Sequence, residues 1–138
     1  MSDTTQASRT VVENWYTALA AGNMEGVIGA LHEDCIAHVS GRTPASGTHT
    51  GRDAFVQNAI GPIFAKLDMA TVRFAHTWEI FAAEGEHVAT RMEGEAKTTD
   101  GRLYDNTYSH QFVVRDGQIV ELWEFLDTAL LRDAIFSQ

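Results

Sequence analysis

From Thr71 to Leu126 the chain is written in the two-residue period of β-strands. Val72, Phe74, His76, Trp78 and Ile80 alternate with Thr71, Arg73, Ala75, Thr77 and Glu79. Asn106, Tyr108, His110 and Phe112 alternate along a second stretch. Three breaks, Glu84-Gly85-Glu86, Asp100-Gly101 and Asp116-Gly117, separate apolar, β-prone runs and read as hairpin turns. Together these predict four long antiparallel strands. Earlier in the chain the period changes. Val12, Trp15, Tyr16 and Leu19 recur at helical spacing between about Thr5 and Ala21, with Gly22 as a stop and residues 1 to about 6 as a flexible N-terminus. Asn23 can cap a second helix from Met24 to Leu31; Cys35 to Ser40 reads as a short strand and Gly41 to Thr50 as a loop. Gly51 to about Leu67 reads as a helix kinked at Gly61-Pro62, and a short helix begins at Thr128. Helices first and strands second mean an α+β fold, a curved antiparallel β-sheet whose concave face the N-terminal helices close.

A chain of 138 residues fits one domain, 1–138, able to bury roughly two thirds of its unfolded surface. Nineteen acidic residues against ten basic ones give a net charge of -9, which disfavours nucleic acid and anionic membranes as partners. Met1 to Gln6 carries no basic and apolar signal pattern, and no apolar run approaches the ~20 residues of a membrane span. The lone cysteine, Cys35, fits a reducing compartment, so a cytoplasmic protein is expected. Six histidines show no His-Glu-x-x-His run and no Cys/His ligand spacing, so no metal is expected. No glycine-rich phosphate loop or Gly-x-Ser-x-Gly elbow is present, and no cofactor is expected.

The candidate chemistry lies between Arg91 and Asp127. Arg91 and Glu93 are two apart, so a strand points them to one face, and Glu124 interrupts the apolar run Leu122-Trp123-Glu124-Phe125-Leu126. If these faces converge with that of Asn106, Tyr108 and His110, a greasy pocket holds an acid, a base and a cation. A carboxylate walled by Leu, Phe and Trp is desolvated, which favours its neutral form and suits Glu124 to acid/base work. His110 would then polarise a carbonyl, with Tyr108 as a further donor. The same spacing also fits Glu124 on a solvent-facing row with Trp123 and Phe125 buried, Arg91 and Glu93 as a surface pair, and His110 as a core histidine. Trp15, Tyr16, Asn106, Tyr108, Leu122 and Leu126 are the candidate substrate-binding or core residues, Tyr16 offering its hydroxyl to the pocket. Val120, Leu122 and Leu126 alternate with Ile119, Trp123 and Phe125, so the last strand is greasy on both faces. A second copy of the chain would cover the face that the helices do not, which predicts a homodimer through the sheet.

Five segments carry a resemblance that spans nearly the whole chain: Val11 to Tyr16, Leu31 to Asp34, Gly47 to Phe55, Asp116 to Ile119 and Trp123 to Asp127. In these, and in its order of elements, the chain resembles the SnoaL-like (polyketide cyclase-like) branch of the nuclear transport factor 2-like, ketosteroid isomerase-like superfamily. The resemblance implies a cone-shaped pocket in a cystatin-like α+β barrel, on a scaffold that hosts isomerases, cyclases, hydrolases, dehydratases and binding proteins. Ketosteroid isomerases place an aspartate base and two donors where Val39, Trp15 and His110 stand here, and a valine cannot take a proton. SnoaL-type cyclases place an acid/base carboxylate and a histidine where Glu124 and His110 stand. Limonene epoxide hydrolases use an Asp-Arg-Asp set matched in register by Arg91, Glu93 and Glu124, but Ala37 and Val39 replace the residues that position their water. The leading expectation is a cofactor-independent enzyme, a lyase, cyclase or isomerase, doing acid/base chemistry on a small apolar carbonyl compound. The alternatives are an epoxide hydrolase-like enzyme using Arg91, Glu93 and Glu124, and a non-enzymatic binder of small hydrophobic molecules.

Overall fold

The computed structural model describes residues 1–137. Its first helix, α1 (Asp3–Ala20), starts earlier than the sequence pattern indicates and takes in most of residues 1–6. Two local contacts explain this. The Ser2 hydroxyl accepts the Thr5 amide hydrogen at 3.0 Å, and the Thr5 hydroxyl accepts that of Gly85 at 2.8 Å, tying the first turn to a distant hairpin. Gly22, at φ +71°, ends the helix region, and Asn23 caps α2 (Met24–Gly29) through its bond from the Gly26 amide.

The sheet follows. Strands β1 (Leu31–Val39) and β2 (Gly47–Thr50) pair antiparallel, so the predicted short strand begins four residues earlier and the predicted loop ends in a strand. A helix over residues 52–65 comes next, α3 (Arg52–Phe55) and α4 (Gly61–Ala65) being joined by a π-helical stretch, Val56–Ile60. The widened turn lies where the kink is expected, just before Pro62, which has no amide hydrogen to donate. Four long strands complete the sheet: β3 (Arg73–Glu84), β4 (His87–Glu95), β5 (Asn106–Arg115) and β6 (Gln118–Leu126). Gly85 and the pair Asp116-Gly117, all at positive φ, make the tight turns. Asp100-Gly101 lies instead in a longer connection pinned by a bridge between Lys97 and Leu103. A C-terminal α5 (Thr128–Leu131), capped by Asp127, leads into a π turn over residues 132–136.

The strand order is β2-β1-β6-β5-β4-β3, and the sheet is curved but unclosed. Neighbours are antiparallel except β1 and β6, which run parallel. Val12, Trp15, Tyr16 and Leu19 are buried on one face of α1, and Phe112, Leu122 and Ile119 are buried on the sheet. Each such side chain contributes roughly 1.5–3 kcal/mol by leaving water. Irregular pairing decides which residues face the helices. In β3 two extra residues, Ala75 and His76, interrupt the ladder between Phe74 and Thr77, and Phe74 and Trp78 still pack inward on the core. In β6 the ladder jumps from Ile119 opposite Val114 to Glu121 opposite Val113, which leaves Val120 as the extra residue. Ile119 and Leu122 therefore share the inner face, and Ile119 does not side with Trp123 and Phe125.

Candidate functional site

The inner face of β5 is set by simple alternation: Asn106, Tyr108, His110 and Phe112 are buried, while Thr107 and Gln111 are exposed. Glu124 on β6 is directly paired with His110, so it shares that face and points away from Trp123 and Phe125. The imidazole is buried and the carboxyl is 16% exposed, with Nε2 of His110 2.9 Å from Oε1 of Glu124. Among the described residues, Oε2 of Glu124 has no hydrogen-bond partner.

The pair lines a mostly apolar cavity of ≈ 70 Å³. Helical residues make most of its wall: Trp15 and Leu19 from α1, Met24 and Val27 from α2, and Phe55, Ala59, Ile60, Ile63 and Phe64 from the helix over residues 52–65. The sheet adds Phe74, Met92 and Tyr108. Two contacts shape this wall. Trp15 donates its ring N–H to the Val27 carbonyl at 3.1 Å, locking α1 against α2. Phe74 lies over Gly94, where any Cβ would collide with its ring.

Behind His110 lies a second layer of hydroxyls. Its Nδ1 is 2.6 Å from the Tyr16 hydroxyl, which is 2.6 Å from the Thr90 hydroxyl, which in turn donates to the His110 carbonyl at 3.5 Å. Tyr108 stacks on the His110 ring, with centroids 5.9 Å apart, and donates its hydroxyl hydrogen to Tyr104 at 3.1 Å. Tyr104 also receives an amide hydrogen of Asn106. Burial, the dominant cause, pushes the acidity of all three tyrosines down. It raises the Tyr104 hydroxyl pKa to about 12 and those of Tyr16 and Tyr108 well above the ordinary value. These hydroxyls are neutral donors and acceptors, never phenolates, near neutral pH.

The site residues singled out from the sequence therefore separate into groups. Glu124, His110, Trp15 and Tyr108 meet at the cavity. Tyr16 does not line it and bonds to His110 from behind. Asn106 is used up in fixing the chain at Asp127, donating to its carbonyl and accepting from its amide, besides its bond to Tyr104. Leu122 is core, and Leu126 packs against the core without reaching the cavity. Arg91 and Glu93 lie on the other side of the sheet, since the inward residues of β4 are Val88, Thr90 and Met92. There Arg91 pairs with Glu79 from β3 and lies over the Phe81 ring. The strand period sends them outward, and the expected convergence with Glu124 does not occur. Thr90 and Tyr104 were not singled out. Thr90 shares the two-residue row of Met92, so its facing was readable once β4 was placed, whereas Tyr104 precedes β5 and no strand period reaches it.

A family model for the SnoaL-like domain matches residues 12–122. The chain belongs to this family. Three solved structures place the SnoaL-like chain among known folds. An NTF2-like protein of Burkholderia xenovorans is 21% identical at a TM-score of 0.73, covering 95% of this chain and 97% of that one. A candidate polyketide cyclase of Xanthomonas campestris is 20% identical at 0.74, covering 96% and 99%. A candidate isomerase of Bacillus subtilis is 12% identical at 0.77, covering 96% and 95%. At these identities the likeness is one of fold. The SnoaL-like chain matches no curated protein. Among its described residues no group of three or more metal-ligating side chains converges, and no helix is long and apolar enough to cross a membrane.

Proposed function

We propose that this protein is a cofactor-independent acid/base enzyme that moves a proton on a small, apolar carbonyl compound, in an isomerisation, cyclisation or dehydration. The observation that carries this reading is the 2.9 Å contact between His110 and Glu124 in the wall of a mostly apolar cavity. An apolar wall holds a substrate by burial alone, and a few polar groups in it fix its orientation. His110 holds Oε1 of the carboxyl, which leaves Oε2 to take a proton from carbon next to the carbonyl and return it elsewhere. Both ring nitrogens of His110 are already engaged, so the histidine serves the carboxyl and does not polarise the carbonyl itself. Tyr108 supplies the donor for the developing oxyanion by turning its O–H from Tyr104 toward the cavity.

The cavity volume favours a small substrate. At ≈ 70 Å³ it falls well short of the ~300–1,000 Å³ typical of drug-sized ligands. The relationship to a candidate polyketide cyclase and a candidate isomerase of the same fold is compatible with this chemistry. The epoxide hydrolase reading needs Arg91 and Glu93 beside Glu124, and those residues occupy the opposite face.

The test is hydrogen–deuterium exchange next to the carbonyl of a panel of small cyclic and aromatic ketones, followed by proton NMR in deuterated water. Wild-type protein should exchange at least one of them catalytically, and Glu124→Gln should lower the rate by about 10²–10⁴-fold. Saturable binding of the same ketones without exchange would sink the enzyme reading and leave a small-molecule binder.

A further inference from the structure

The buried hydroxyls behind His110 do more than fill space. Each of them can act as donor or acceptor, and each has a partner on both sides. This allows two complete hydrogen-bond arrangements with no movement of heavy atoms. In the first, three hydrogens run toward the carboxylate: Thr90 donates to Tyr16, Tyr16 to Nδ1, and the Nε2 hydrogen to Glu124. In the second, four hydrogens are held. Nδ1 donates to Tyr16, Tyr16 to Thr90 and Thr90 to the His110 carbonyl, while the fourth hydrogen lies between Nε2 and Oε1. Only the two hydroxyls rotate about their C–O bonds.

We propose that Tyr16 and Thr90 are positioning residues that let the buried His110–Glu124 pair hold either one or two protons, by reversing the hydrogen bond at Nδ1. The proposal rests on the acid/base reading of Glu124. When Oε2 of Glu124 takes a proton from carbon, the C–H electron pair stays on the substrate as an enolate and the carboxyl becomes neutral with the first arrangement intact. Return of that hydrogen to another carbon restores the carboxylate, and the second arrangement is reached by proton exchange with water as pH falls. Without the two hydroxyls, an imidazole that gained a proton at Nδ1 would bury an unpaired N–H, which costs far more than losing a neutral bond.

Hydroxyl and apolar side chains surround this pair. Among the described residues, Glu124 is the only acidic side chain at the cavity, and no Lys or Arg lines it. Around His110, α1 presents Trp15 and Tyr16, and β5 presents Tyr108 and Phe112. β4 adds Thr90, and Trp78 from β3 stacks on Tyr16. The segments over residues 24–29 and 52–65 bring only apolar side chains to the cavity.

The experiment needs no substrate. The ring nitrogens of His110 are followed by nitrogen-15 NMR across a pH titration, alongside the carbon-13 signal of the Glu124 carboxyl. In wild-type protein Nδ1 changes from acceptor to donor in one transition, and Glu124 reports the same midpoint. Tyr16→Phe keeps the ring on Trp78 but lowers that midpoint by about one pH unit, because a charge-assisted bond is lost from the four-hydrogen state and a weaker one from the other. Thr90→Val moves it the same way and Thr90→Ser restores it, a pair that keeps the test open should Tyr16→Phe fold poorly. An Nδ1 that holds one state throughout, or a midpoint unmoved by Tyr16→Phe and Thr90→Val, overturns the proposal. Because no ketone is present, this failure is distinct from a failure to find a substrate.

Discussion

Tyr16, Tyr104 and Tyr108 are the chain's three tyrosines, and all are buried within one connected set of hydroxyl and imidazole groups. Their shared burial links the site to stability at high pH. An unfolded tyrosine loses its proton near 10.0, whereas folded Tyr104 keeps it to about 12. Above pH 10 the unfolded chain therefore holds fewer protons than the folded one, so stability present below that pH is lost as it rises. The loss is up to about 1.4 kcal/mol per pH unit for each such tyrosine. Ultraviolet titration should accordingly show no phenolate before unfolding, and all three appearing together with it. A separate early transition at pH 10 would contradict this burial. Tyr104 itself was hard to find in the sequence, since it falls outside the strand and beside an Asp-Gly turn. His110 and Glu124 were easier, because strict alternation on β5 and the apolar company on β6 mark both.

Among the elements, β4 shows how a residue with no side chain can shape a cavity. Gly94 lets the Phe74 ring lie flat on the sheet and form part of the wall. Gly94→Ala should drive that ring into the cavity, cost about 1–3 kcal/mol as an overpacked site, and, on the function proposed, weaken ketone binding. Urea unfolding and ligand titration read the two effects, and an unchanged midpoint would argue against the close approach. Helix periods and the hairpin turns at Gly85 and Asp116-Gly117 were legible because their signals are local, whereas Asp100-Gly101 carries the same signal without being a hairpin turn. The irregular ladders were not legible. Val120 as the odd residue in β6 moves Ile119 to the inner face, and Ala75-His76 form a break in β3 that no composition signal marks. Both arise from pairing between strands distant in sequence, where register is chosen by the partner.

At the level of the molecule, helices before strands were enough to indicate an α+β fold with one concave face covered. The parallel contact of β1 with β6 was not legible, since direction across a sheet depends on the path of the intervening chain. The outer face stays less apolar than the two-sided pattern of β6 implies, because Ile119 has moved inward, but Phe125 is 44% exposed there and Trp123 lies against His38. A second copy seated on this face is our expectation. Light scattering at micromolar concentration should give a dimer, with Phe125→Asp shifting it toward monomer. A monodisperse wild-type monomer would refute it.

The mixed origin of the cavity wall has a consequence for change over time. In the function we propose, the proton is moved by a cross-strand pair in the middle of a sheet, while the cavity wall comes mostly from helices over residues 3–29 and 52–65. Met24, Ile60 and Phe64 can be exchanged for larger or smaller apolar residues with no hydrogen bond of the His110–Glu124 pair touched. On that proposal, selectivity and reactivity are inherited on separate pieces of the chain, and the scaffold would be re-targetable by drift in its helices.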